Sequence, residues 1–305
     1  MTMQSATLIP PLFALALAPL LLGVINRTKA VFAGRRGQPL LQTYFDIWKL
    51  LHRGAVYSRT TTWVFRAGPV VGLACALVAT ALVPLGGVAA PLWFSGDLFL
   101  LVYLLAVMRF FTVLAALDTG SSFEGMGASR EVWFSALAEP ALLLALVAVA
   151  RPTGSVSLSQ ILAGLTADQW VHAGIGFALV VGALIIVLLA ENARIPVDDP
   201  NTHLELTMIH EVMVLDHSGP DFAFILYGAA LKLWVLGAVL VGVMLPVHTG
   251  SAWLDMLVAL AGMLGMAVIV GIVESSMARL RLLRVPQLLV SASALAVLAL
   301  ILAMR

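Results

Sequence analysis

Cysteine is almost absent from this chain: Cys75 is the single one, and it lies inside an apolar run. One thiol excludes an intramolecular disulfide and any cysteine-ligated cluster or zinc site within the chain. Charge is scarce too. Charged residues fill 11% of the 305 positions and hydrophobic ones 61%, with a mean hydropathy of +1.04. Soluble domains are about a quarter charged, so this chain has no surface to offer water and a bilayer must take that role. No internal repeat, low-complexity tract or soluble domain is visible. The first apolar stretch, 9–24, has neither a basic leader nor a cleavage site, so it reads as a retained span rather than a signal peptide.

What is present is a set of apolar windows near 7–25, 65–88, 98–117, 131–150, 170–190, 222–246, 253–275 and 286–304. A crossing helix needs roughly 20 apolar residues, and each window supplies about that many. The expected fold is therefore an all-α polytopic membrane protein of about eight transmembrane helices. One set of connections, 26–64, 118–130, 191–221 and 276–285, carries Arg27, Lys29, Arg35, Arg36, Lys49, Arg53, Arg59, Arg130, Arg194, Arg279, Arg281 and Arg284. The opposite set, with both termini, carries only Arg151 and Arg305. The positive-inside rule puts the basic set in the cytoplasm and both termini outside, in the inner membrane.

Within the first connection, Leu40, Leu41, Tyr44, Phe45, Ile47, Trp48 and Leu51 recur at helical spacing opposite Gln42, Asp46, Lys49 and Arg53. That pattern predicts an amphipathic helix over about 38–53, lying in the interface on the cytoplasmic side. A helix of an ordinary soluble loop is the alternative.

Two other connections exceed what a simple link requires. In 118–131, small residues surround Asp118, Glu124, Arg130 and Glu131. A helix starting near Ser129 would use that residue as its cap and Glu131 at the positive end of its dipole, which explains Glu131 without any function. Glu139 lies eight residues on, about 12 Å deeper and about 80° round the axis. A carboxyl at that depth is expensive unless paired, hydrated or protonated, so a functional role is the default. Pro140 would bend the helix beside it.

The 191–221 connection holds seven carboxylates and three histidines in 31 residues. His203, His210, Glu211 and His217 match no metal-binding spacing, so no metal is expected. A hydrated acidic vestibule feeding buried carboxylates is the simpler reading. Arg109, Lys232 and Glu274 stand inside apolar windows, and pairing of the two cations with Glu139, Glu191 or Glu274 would make their burial tolerable. Such acids and bases form either a proton relay or static pairs that fix helix packing.

At these segments the sequence resembles the complex I subunit 1 family, in the branch of energy-converting [NiFe]-hydrogenases of formate hydrogenlyase type. The resemblance runs through Arg35-Arg36-Gly37-Gln38-Pro39, Tyr44-Phe45-Asp46-Ile47-Trp48-Lys49, Leu117-Asp118-Thr119-Gly120, Gly127-Ala128-Ser129-Arg130-Glu131 and Glu139-Pro140. It continues through Glu191-Asn192-Ala193-Arg194-Ile195-Pro196-Val197-Asp198-Asp199-Pro200 and Glu274-Ser275-Ser276-Met277-Ala278-Arg279. It implies a membrane anchor, itself without cofactor, for an arm of nickel–iron large, iron–sulfur small and ferredoxin-like subunits. Antiporter-like membrane subunits would be further partners and bound lipid is compatible, but no nucleic-acid partner is expected. Glu131, Glu139 and Glu191 would form an acidic path, with Arg109, Lys232 and Glu274 as its buried companions. Asp118, Glu124, Arg130, Arg194, Asp198, Asp199, His203, Glu205 and Glu211 would lie in the loops facing the arm. Quinone-reducing relatives carry a more Glu-rich stretch where this chain reads Asn201-Thr202-His203-Leu204-Glu205, which favours the hydrogenase branch over a quinone-site subunit. A stand-alone transporter would show repeated halves, and a purely structural anchor would hold all its charges as static pairs.

Overall fold

A computed structural model describes residues 6–198 and 208–304. Its first helix, α1, spans Ile9–Phe32, the amphipathic α2 spans Gln42–Leu51, and α3 spans Trp63–Thr80. There follow α4 (Asp97–Asp118), α5 (Ser122–Thr153), the short α6 (Leu158–Gly164) and α7 (Ala167–Glu191). A 3-10 turn at Glu211–Val214 leads to α8 (Gly219–Met244), α9 (Ala252–Ser276) and α10 (Val285–Ala303). Eight of these helices are long and apolar enough to cross a membrane, the last counted from Leu282. Among the described residues there is no strand, only an isolated bridge between Leu85 and Val88. The chain is a multi-pass membrane protein.

Several boundaries differ from those the sequence suggests. The fourth span starts at Ser122, not near Ser129. Gly120 turns the chain at φ +70°, and the helix absorbs most of the stretch expected as a loop. Ser129 is therefore no cap; its hydroxyl donates to the Met126 carbonyl at 2.9 Å. The same helix continues through Pro140 to Thr153. The first span runs on to Phe32, seven residues past the expected edge, while the second ends at Thr80, where Pro84, Gly86 and Gly87 stop it. The unexpected α6 is organised by Asp97, whose carboxylate accepts from the Leu158 amide at 2.6 Å and the Ser157 hydroxyl at 2.8 Å.

The packing follows from where burial is unbroken. In α8 every residue from Ala230 to Val241 is buried, and this helix packs against α1, α2, α3, α7 and α9. The α5–α7–α10 group closes one flank and the α3–α4 pair another. Short residues permit the tight crossings. A Cβ on Gly23 would fall 2.0 Å from the Leu40 carbonyl oxygen, so α1 can carry the chain entering α2 across its surface only as glycine. The amphipathic helix lies within the expected 38–53 stretch and buries none of its residues fully, with Phe45 and Trp48 exposed.

Candidate functional site

Arg109 sits nine residues inside α4 from its Asp118 end, about 13 Å by helical rise. Three carboxylates converge on its guanidinium. Glu131 of α5 pairs with Nε at 3.3 Å, Glu139 of α5 accepts from Nη1, and Glu191 at the end of α7 accepts from Nη2 through both oxygens. Lys232 of α8 approaches the same Glu191 at 3.8 Å. Four helices thus deliver five charged groups to one place, and three carboxylates face two cations, one charge short of balance. The two pairings expected for the buried cations, with Glu139 and Glu191, are present.

Glu274 goes elsewhere. Its side chain is fully buried and pairs with Lys29 of α1 at 2.7 Å and with Arg194 at 3.3 Å. It ties α9 to α1 and to the segment after α7, away from the Arg109 contacts. In the sequence Lys29 is one more loop charge beyond the apolar window that ends near residue 25; the helix carries it on to Phe32.

Glu191 meets Arg109 well inside α4, so α7 stops short and the following segment runs among the helices. Irregular backbone at such depth persists only where protein or a cavity surrounds it. Here Arg194, Ile195, Val197 and Asp198 are all buried. The stop itself is a left-handed residue: Ala193 has φ +49°, with the Ala193 amide bonded to the Ala190 carbonyl and the Arg194 amide to the Leu189 carbonyl. That double bond pattern is the helix ending that usually takes glycine.

Beside the cluster lies a cavity of about 270 Å³. Its lining combines the polar Asp46, Glu191, Arg194, Asp198, His210 and Lys232 with the apolar Leu22, Val214, Phe222 and Leu226. Asp46 and Thr43 come from α2, so the polar face of the amphipathic helix forms part of this cavity. Burial and the neighbouring Lys232 push His210 down to about 4, which keeps its imidazole neutral. The sequence singles out His210 only as a metal-ligand candidate, and nothing in its spacing marks it for a proton path.

The loop residues expected to face an arm divide. Asp118 caps α3, accepting from the Thr62 amide at 2.6 Å and hydroxyl at 2.8 Å. Glu124 is buried and accepts from the Asp216 amide at 3.2 Å. Asp198 is buried as well, accepting from the Ile209 and His210 amides at 3.1 Å and from Arg279 at 2.7 Å. Arg130 donates to the Met208 carbonyl at 3.0 Å, and Glu211 lines the large cavity. These groups hold the loop in place: their charge is turned inward. Asp199, His203 and Glu205 lie outside the described residues. Gly127 lets the 3-10 turn and the residues before it close onto α5, since a Cβ there would sit 2.5 Å from Val212 Cγ1 and 2.8 Å from the Ile209 carbonyl oxygen.

A family model described as NADH dehydrogenase matches residues 5–304. Formate hydrogenlyase subunit 4 of Escherichia coli strain K12 is 36% identical over 282 residues, covering 90% of each chain. Hydrogenase-4 component C of the same organism is 33% identical over 275 residues, covering 88% of this chain and 86% of that one. In structure, a chain of the membrane-bound sulfane sulfur reductase, an archaeal respiratory membrane complex, matches with a TM-score of 0.85 at 20% identity over 99% of this chain and 100% of that one. That likeness establishes the shared fold. The extent of these matches, over helices that also share an architecture, makes the chain a member of the NADH dehydrogenase subunit 1 family.

Proposed function

We propose that the chain anchors the redox arm of a membrane-bound energy-converting [NiFe]-hydrogenase, of formate hydrogenlyase type, and carries the first part of its proton path. The observation behind this is the graded exposure of the three carboxylates on Arg109: side-chain exposure is 3% for Glu191, 18% for Glu131 and 36% for Glu139. Glu191 forms part of the large cavity's wall, and Glu139 is the most exposed of the three. A partly exposed carboxyl on a membrane span is tolerable where another protein or water meets it. An antiporter-like subunit against α5 supplies that cover. The cluster, one charge short of balance, takes one proton to reach neutrality, and redox change in the arm beside the cavity shifts where that proton resides.

In this reading the basic connections face the cytoplasm across the inner membrane and both termini face outside. The nickel–iron and iron–sulfur centres belong to the partner subunits. Purifying the complex through a tag on this chain tests the assignment: nickel and iron in stoichiometric amounts support it, and a preparation that contains a bound quinone but no nickel contradicts it. The amphiphilic lining of the cavity favours that quinone-site subunit as the second reading.

A further inference from the structure

Arg109 gathers its three carboxylates but holds them apart, each on a different guanidinium nitrogen. A guanidinium is permanently charged and has no acceptor. It fixes Glu191 and Glu131, yet it cannot hand a proton from one to the other.

A second, small cavity lies against the same cluster. It measures about 20 Å³ and is lined by Glu131, Ser135, Glu191 and Asp198 on its polar side, with Phe134 and Ala138 among its apolar closure. A single water needs about 10–15 Å³ of such space and two to four polar partners. Both requirements are met for one molecule. Glu191, Ala193 and Asp198 also line the large cavity, so these three residues form the wall between the two spaces. In that wall Ala193 keeps a methyl group at a positive φ where glycine would be unstrained. Asp198 is held by two backbone amides and Arg279, which makes it a fixed acceptor.

We propose that the small cavity is a site for one water molecule, which bridges Glu191 and Glu131 and carries the proton between them. The inference rests on the proton-path reading above. In the step, a protonated Glu191 gives its proton to the water oxygen while the water gives one of its own to the Glu131 carboxylate. One O–H bond breaks and one forms at each transfer, the water is regenerated, and no electron moves. The second hydrogen of the water goes to Asp198, a positioning residue that keeps the water aimed at Glu131. The wall at Ala193 separates this water from the larger space, so the proton crosses by way of Glu191.

The test uses the assembled complex in lipid. A cryo-EM map that resolves ordered waters shows density within hydrogen-bond distance of both Glu131 and Glu191; ordered carboxylates with no density between them overturn the proposal. Ala138→Val fills the cavity, and proton movement per turnover falls about tenfold or more, because donor and acceptor lose their bridge. Where Ala138→Val does not assemble, Ser135→Leu fills the same space from a more exposed position. Normal proton movement in a cavity-filled variant, with Glu131→Gln still blocking it, removes the water and leaves the path standing. Normal movement in Glu131→Gln and Glu191→Gln as well removes the path itself. Asp198→Asn shifts the pH profile of proton movement if Asp198 orients the water, and an unchanged profile removes it from the bridge.

Discussion

Arg109 of α4 and Glu191 of α7, 82 residues apart in sequence, are joined by one guanidinium nitrogen that donates to both carboxylate oxygens. That contact fixes the end of α7 against the middle of the bundle, and the other charged groups arrange themselves round it.

Removing Arg109 should therefore damage the fold more than any other single change at the site. Arg109→Ala strips the counter-charge from Glu131, Glu139 and Glu191 together and leaves Lys232 alone. Breaking a buried pair from one side is destabilising by about 3–5 kcal/mol. Thermal unfolding of the purified protein in detergent should show a large fall in Tm. Arg109→Lys should recover only part of it, since one ammonium does not reproduce a fork with three separate faces.

The Glu274 junction is expected to behave as a structural one. Glu274→Gln leaves Lys29 and Arg194 without their shared anion, and a hydrogen bond to a charged group is worth about 1.5–3 kcal/mol. The same thermal assay should show a lower Tm, while proton movement per assembled complex stays close to that of the parent. A selective loss of proton movement at full stability would place Glu274 in the path instead.

His217 gives a pH signature. Its ring stacks on Phe65 at 4.0 Å, and burial holds it down to about 4, below its usual 6.5. The unfolded chain thus binds a proton between pH 6.5 and 4 that the folded chain refuses. Stability is full above 6.5 and falls as pH drops through that window, by about 1.4 kcal/mol per pH unit for this group. His217→Phe keeps the stacking and removes the proton, so its stability should decline less steeply between pH 6.5 and 4. His210, also lowered to about 4, adds its own slope in both proteins. Parallel pH dependences for parent and variant would contradict the assignment.

Ala193 tests the helix ending. A β-branched side chain at φ +49° is strained, so Ala193→Val should destabilise by about 1–3 kcal/mol. Ala193→Gly should lie within about 1 kcal/mol of the parent, because relief of strain is offset by the freedom glycine gains when unfolded. Chemical denaturation of the two variants in parallel measures the difference.

Much of this was legible before the structure. Windows of about 20 apolar residues reveal spans directly, and Arg109, Glu139 and Lys232 stood out because charge at that depth needs a reason. What a one-dimensional pattern does not contain is which charge meets which. Glu274 reads as a member of the acidic path, yet packing sends it to Lys29 and Arg194. Glycines and serines around Gly120–Ser129 suggest a loop, but tertiary contact with the 3-10 turn holds them helical from Ser122. Asp118, Glu124 and Asp198 look like a charged loop surface because the sequence does not display the backbone amides that bind them.

The most direct measurement is hydrogen-linked proton movement by the assembled complex in sealed vesicles, comparing the parent with Glu191→Gln at equal content of complex. Glu191 touches Arg109, approaches Lys232 and lines both cavities, so the account predicts that proton movement falls about tenfold or more while the complex remains assembled. Proton movement equal to that of the parent, with assembly intact, would contradict it.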